Sequence, residues 1–194
     1  MRFLFPTIIH DMVVSNFDQD LCIHLSRELK KKDPKGVEKS NVRGWQSDFF
    51  NFKKDDYFSD LISRTVRDYL CENKIYKDLE LYFDGYWINI NQPGALNSIH
   101  DHPGCDLAGV IWIKTDEKSG VIKFRHPNHF AEHTSLSFYN EDFKKKVNAY
   151  PAYWSSAKSG QGILFPSHLN HWVEENKSTE DRISISFNIE LKKQ

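Results

Sequence analysis

Residues Asn97–Lys114 read NSIHDHPGCDLAGVIWIK. Two histidines flank Asp101, a Pro103-Gly104 turn follows, and Leu107–Lys114 is then almost continuously apolar. An apolar run of that length bounded by turn residues predicts a buried strand. Extended backbone alternates its side chains, so His100 and His102 at its mouth fall on one face and Asp101 on the other. Imidazole is the commonest protein ligand for metals such as iron and zinc. The stretch therefore reads either as a polar turn or as half of a metal site, and the rest of the chain has to decide.

Upstream, MRFLFPTIIHDMVV is apolar but interrupted by Pro6, His10 and Asp11. It lacks a charged leader with a small-residue cleavage site, and reads as a first strand rather than a signal peptide or membrane span. Phe17, Leu21, Leu25 and Leu29 recur at helical spacing, with Ser15 or Asn16 to cap the helix and Lys30, Lys31 and Lys32 to complement its dipole at the end. Residues 33–44 are polar, with Pro34 and Gly36, and read as a loop. A second helix is predicted from Tyr57 to Glu72, with Leu61, Ile62, Thr65, Val66, Tyr69 and Leu70 on its inner face.

After Asn73 the pattern becomes that of strands: Glu80–Asn91, Leu107–Lys114, Val121–Phe124, Gly162–Phe165 and Ile183–Leu191. At the end of the first, Ile88 and Ile90 point one way and Asn89 and Asn91 the other. Residues 126–150 are long, polar and aromatic without a clear period, so they read as a lid or an insert with a small helix. Two helices followed by many short strands predict one α+β domain over residues 1–194, built around a β-sandwich or barrel. Residues 1–75 supply a strand and two support helices; residues 76–194 supply the core, interrupted by the 126–150 insert.

Composition narrows the function classes. A chain of 194 residues with 39% hydrophobic content can bury a core without disulfide staples. A net charge of −1 argues against nucleic acid or an anionic membrane as partner. The three cysteines, Cys22, Cys71 and Cys105, are odd in number and far apart, which predicts a reducing compartment and no disulfide framework.

A metal needs a further ligand from a distant strand. FPSHLNHWVEENKSTEDRISISFNIEL, Phe165–Leu191, offers His168 and His171, and Arg182 follows eleven residues after His171 with Ser184 on the same face. These residues resemble the double-stranded β-helix (jelly-roll) oxygenases that use Fe(II) and 2-oxoglutarate. The closer likeness is to a branch found in bacteria and phages. It rests on Ser40-Asn41 with Gly44-Trp45-Gln46-Ser47, on Trp87 and Asn89, on His100 to Val110, and on Phe165 to Asn188 with its RISISFN ending. The resemblance covers roughly residues 40–190 and implies a jelly-roll, cupin-like core with N-terminal supporting helices. It implies iron ligands at His100 and His171, with Arg182 gripping the distal carboxylate of 2-oxoglutarate and Ser184 adding a hydrogen bond. Asn89 or Asn91 could point into the barrel and touch the proximal end of the cosubstrate. An arginine suits its part because its planar fork matches a carboxylate bidentately and keeps its charge when buried. It further implies O2 as co-reactant, a cytoplasmic setting (that of the host cell for a phage-encoded chain), and a small molecule or protein side chain as substrate. A homodimer is compatible with a jelly roll, though no sequence feature requires one.

Two departures stand out. Related chains carry an acid two residues after the first histidine, where this chain has His102; the third ligand is then His102, Asp101 or Asp106, and alternation favours His102. FRHPNHF, residues 124–130, replaces an acidic turn. His126, His129 and His133 could form a second metal site, although a solvated loop is favoured. A cupin reading competes: Gly94 and His100-x-His102 fit the first cupin motif with Asp106 near its glutamate, and Pro166–His171 fits the second with Asn176 one place late. A three-histidine cupin would oxidise a thiol or similar ligand without 2-oxoglutarate. A non-catalytic binding or virion-associated jelly roll is the third possibility. Trp87, Trp112 and Trp172 are read as core and barrel wall, and Cys105 as a small buried filler.

Overall fold

The computed structural model describes residues 7–73, 79–127, 138–147 and 149–193, and only the backbone of Cys71, Glu72, Leu79 and Lys193. The chain runs β1 (His10–Val13), α1 (Gln19–Lys32), β2 (Asn41–Val42), β3 (Trp45–Gln46), α2 (Tyr57–Glu72), β4 (Leu79–Asn91), β5 (Leu96–His100) and β6 (Leu107–Lys114). It continues through β7 (Ile122–Arg125), α3 (Glu141–Val147), β8 (Ala152–Ser155), β9 (Gln161–Pro166), β10 (His171–Val173) and β11 (Arg182–Lys193). The strands form two sheets, ordered β1-β9-β6-β11-β4-β3 and β2-β5-β10-β7-β8, and every strand pairing is antiparallel. This is a double-stranded β-helix, the jelly roll that the sequence leads one to expect.

The larger sheet is buried on both sides, and its residues sort by parity. On β11, Ile183, Ile185, Phe187 and Ile189 are fully buried with Ile88 and Ile90 of β4 and with Leu61, Ile62 and Val66 of α2. On β6, Leu107, Ile111 and Ile113 join that layer, while Ala108, Val110 and Trp112 turn the other way to meet Ile122, Phe124, Ile163 and Phe165. Covering both faces explains why β6 reads as a continuous apolar run. Gly109 belongs to the helix-side packing, where a Cβ would lie 2.2 Å from the Phe187 ring.

The second helix has the predicted bounds, and Leu61, Ile62, Thr65 and Val66 are buried in it. The first differs in two respects. Its cap is Asp18, whose Oδ1 accepts from Leu21 N at 3.0 Å, not Ser15 or Asn16. Cys22 and Ser26 are its fully buried residues, while Leu21 is exposed. The Ser26 hydroxyl is satisfied by Cys22 O at 2.7 Å, which lets a polar residue take a core position. Residues 33–44 contain the short β2, and β3 and β8 are likewise strands that the pattern does not announce. Two to four residues are too few for an alternation to register. Within 126–150 the small helix is α3; residues 128–137 and 148, which include His129 and His133, lie outside the described residues. No described helix is long and apolar enough to cross a membrane.

Candidate metal centre and anion pocket

Along β11 and β4 the inner face of the larger sheet is mostly polar where the outer face is apolar. Arg182, Ser184, Ser186 and Asn188 alternate along β11 and pair with Asn91, Asn89, Trp87 and Gly85 of β4. Across the interior, β5 and β10 run antiparallel with His100 directly opposite His171. The two sheets thus enclose a cavity whose lining includes Trp87, Asn89, His100, His102, His171 and Arg182.

The three histidines converge there. Their ring centroids are 4.3 Å (His100–His171), 5.2 Å (His100–His102) and 5.1 Å (His102–His171) apart. Each offers one ring nitrogen, and these nitrogens lie within 4.8 Å of one another. The opposite nitrogens are occupied: Nδ1 of His100 bonds to Ser98 O at 2.8 Å, Nδ1 of His102 to Asn188 Oδ1 at 2.7 Å and Nδ1 of His171 to Leu169 O at 2.9 Å. With a proton on each Nδ1, the inward Nε2 atoms carry lone pairs, which is the state a metal requires. Burial lowers the pKa of all three, His171 to about 3 with the neighbouring His100 adding to the effect. At neutral pH the cluster is uncharged. Phe165 packs on His171 at 4.7 Å and Trp87 on His102 at 5.5 Å, so the rings sit in an aromatic socket.

Arg182 marks the other end of the cavity. Its side chain is 1% exposed, and burial pushes its pKa down to about 10. Nη1 donates to the carbonyls of Ser119 and Glu174, the latter at 2.9 Å. Nη2 is buried with no partner among the described residues. The nearby acids are engaged elsewhere, Glu174 by Lys123 at 2.5 Å and Glu180 by Lys114 at 2.8 Å. No described residue lining the cavity is an acid. A buried guanidinium without a counter-anion is costly, and an anionic ligand removes that cost.

Small polar groups line the cavity between the histidines and Arg182 or, like Asn91, stand behind its wall. Asn89 Nδ2 donates to Ser186 Oγ at 3.1 Å, and Asn89 Oδ1 has no partner among the described residues. Asn91 Nδ2 donates to Asn97 Oδ1 at 3.1 Å, and Asn97 Nδ2 to Ser40 Oγ at 3.3 Å. Ser184 lines the cavity beside Arg182.

The other expected candidates lie elsewhere. His102 sits beyond the end of β5 rather than on the strand, yet still joins His100. Asp101 and Asp106 are exposed and outside the cluster, and Asp106 Oδ2 accepts from Leu191 N at 2.7 Å. His168 is exposed, and no other group of three His, Cys, Asp or Glu side chains converges among the described residues. Cys105 is half-buried, and its Sγ reaches His102 O at 3.5 Å. Asn176 is fully buried in a structural role, its Nδ2 donating to Asn91 O and Glu180 O, both at 2.8 Å. Sequence reasoning gave no site role to Ser186, Asn188, Asn97 or Ser40, although Ser40, Ser186 and Asn188 fall in the stretches that carry the resemblance. The parity of Arg182 and Ser184 extends to Ser186 and Asn188 and could have found those two.

The family model described as "Putative 2OG-Fe(II) oxygenase" matches residues 85–188, more than half of the chain and the span from β4 to β11. Among solved structures, a non-heme alpha-ketoglutarate-dependent carbocyclase, SnoK from nogalamycin biosynthesis, is 13% identical with a TM-score of 0.65, covering 94% of this chain and 79% of that one. A Pseudomonas putida prolyl-4-hydroxylase is 12% identical with a TM-score of 0.61, covering 95% and 92%. A viral collagen prolyl hydroxylase from Paramecium Bursaria Chlorella virus-1, in its 2OG complex, is 17% identical with a TM-score of 0.58, covering 93% and 94%. At such identities the structural likeness is one of fold. No curated protein matches the sequence.

Proposed function

The chain belongs to the 2OG-Fe(II) oxygenase family, and on that premise we propose that His100, His102 and His171 hold the Fe(II) while Arg182 anchors 2-oxoglutarate. The residues fit both groups. Three neutral imidazoles with their outer nitrogens engaged present three inward donors. The unpartnered Arg182 Nη2 suits the distal carboxylate, with Ser184 as a second donor on the same strand face. Asn89 stands between the two and serves the proximal end; with its amide turned over, Oδ1 accepts from Ser186 and Nδ2 faces the cosubstrate. Asp101 and Asp106, both exposed, take no part in this ligand set.

With O2, bound Fe(II) and 2-oxoglutarate supply the oxidising chemistry: the keto acid becomes succinate and CO2, and the substrate is oxidised. The protein contributes geometry, charge matching and exclusion of water. Neutral histidines leave the metal's charge uncompensated within the protein, so the dianionic cosubstrate offsets most of the positive charge that the metal and Arg182 carry together. Trp87, Phe165 and Trp112 give the cavity aromatic walls.

The observation that carries the reading is the pairing, in one cavity, of three convergent histidines with a buried guanidinium whose Nη2 has no partner among the described residues. Anaerobic titration of 2-oxoglutarate into the Fe(II)-loaded protein tests it. The expected result is a visible charge-transfer band, lost in His171→Ala and weakened in Arg182→Ala. Stoichiometric iron without a band would overturn the cosubstrate assignment in favour of a three-histidine cupin chemistry. Failure to bind iron would overturn the ligand set.

A further inference from the structure

The hydrogen bonds behind the three histidines differ in kind. His100 and His171 each turn Nδ1 to the carbonyl two residues earlier, Ser98 O at 2.8 Å and Leu169 O at 2.9 Å. A carbonyl can only accept, so the main chain alone keeps the proton on Nδ1 and the lone pair on Nε2. His102 departs from this pattern. It lies past the end of β5, and its Nδ1 meets a side chain, Asn188 Oδ1, at 2.7 Å. A carboxamide has an accepting end and a donating end. Oδ1 toward the ring gives a lone pair on the inward Nε2; Nδ2 toward the ring would put the proton there and close the site to a metal.

The fold prepares this contact. Asn188 lies on the inward face of β11 with Arg182, Ser184 and Ser186, and its neighbours across the sheet are Gly85 of β4 and Ala108 of β6. Ala108 is small enough to leave lateral room for the amide on one side, while on the other the Phe49 ring fills the place of the missing Gly85 side chain, 2.2 Å from where a Cβ would lie. The His102 ring is further held by Trp87 at 5.5 Å, by His100 stacked on it at 5.2 Å and by His171 tilted against it at 5.1 Å.

We propose that Asn188 is a positioning residue for His102: through Oδ1 it selects the Nδ1–H tautomer and so makes the third histidine competent as a ligand. Its consequence for metal binding rests on the ligand set proposed above; its consequence for the tautomer does not. One strand, β11, then serves both ends of the cavity, with Arg182 aimed at the cosubstrate and Asn188 at the metal.

The test combines long-range 1H–15N correlation spectra of the metal-free protein, which report the tautomer of each imidazole, with Co(II) titration. In the wild type His102 is the Nδ1–H tautomer. Asn188→Asp, which can only accept, keeps that tautomer and binds Co(II) at least as tightly. Asn188→Leu loses the preference and binds Co(II) about 10- to 100-fold more weakly, while His100 and His171 keep their signals. Asn188→Ala serves the same purpose if the leucine variant does not fold. A leucine or alanine variant that retains the wild-type tautomer and affinity overturns the proposal, as does an aspartate variant that changes tautomer. A wild type that binds no Co(II), or a His102→Ala variant that binds it as tightly, would instead overturn the ligand set and leave the tautomer result to be judged by the spectra alone.

Discussion

Arg182 concentrates the electrostatics of the site in one residue. It is buried, its Nη1 is held by two carbonyls and its Nη2 is unpaired among the described residues. Charge-assisted hydrogen bonds contribute about 1.5–3 kcal/mol. Arg182→Ala should therefore weaken 2-oxoglutarate binding about 10- to 100-fold, read as the midpoint of the anaerobic titration. Arg182→Lys should fall between the two, because it keeps the charge and loses the fork. The neutral histidine cluster adds a second expectation. With no acid among the described residues that line the cavity, metal and dianion stabilise each other, and removing the metal should weaken cosubstrate binding by more than about tenfold, with reciprocal loss for the metal. Equal affinity by calorimetry with and without metal would count against the coupling.

At the scale of the element, β11 has two faces with separable duties. Its odd-numbered residues from Ile183 to Ile189 pack toward the helices, and its even-numbered residues from Arg182 to Asn188 face the cavity. Ile185→Ala should cost about 2–5 kcal/mol of stability in denaturant unfolding while leaving the metal affinity of the folded fraction near the wild-type value. A loss of affinity comparable to that of a cavity-side change would show that the faces are not independent. The first helix offers a milder test: Asp18→Ala removes the cap on Leu21 N and should cost about 1 kcal/mol. This element also shows the limits of reading by pattern. Leu21 fits the apolar period yet is exposed, and Ser26 breaks it yet is buried through its bond to Cys22 O. Helical spacing identifies an apolar stripe within a residue or so; which residues lie deepest depends on the sheet that the helix meets.

At the scale of the molecule, β1 is tied to α2 by a buried imidazole. His10 packs edge-on against Tyr69 at 5.7 Å, and its Nδ1 lies 3.5 Å from the phenolic oxygen. Burial lowers its pKa, against a smaller opposing pull from Asp11. The unfolded chain therefore takes up a proton at His10 near pH 6.5 while the folded chain does not. This contribution to stability is complete above the unfolded pKa and declines as pH falls below it toward the folded pKa. Denaturant midpoints of metal-free wild type and His10→Phe, compared at pH 7.5 and 5.5, should show the larger acid loss in the wild type. Equal losses would place the pH dependence elsewhere.

Much of this molecule was open to local reading. The bounds of α2, the double-sided burial of β6 and the division of Ile88 and Ile90 from Asn89 and Asn91 all follow from which neighbours repeat at two or at 3.6 residues. So did the candidate histidines and Arg182, through their spacing and the family that they resemble. The tertiary structure alone decided that His100 faces His171 across β5 and β10, that Asp101 and Asp106 lie exposed outside the cluster, and that Asn188 meets His102 from 86 residues away. Periodicity is set by steric and solvation preferences within a few residues. Convergence on a point depends on strand register between distant segments, and only the assembled sheets fix that register.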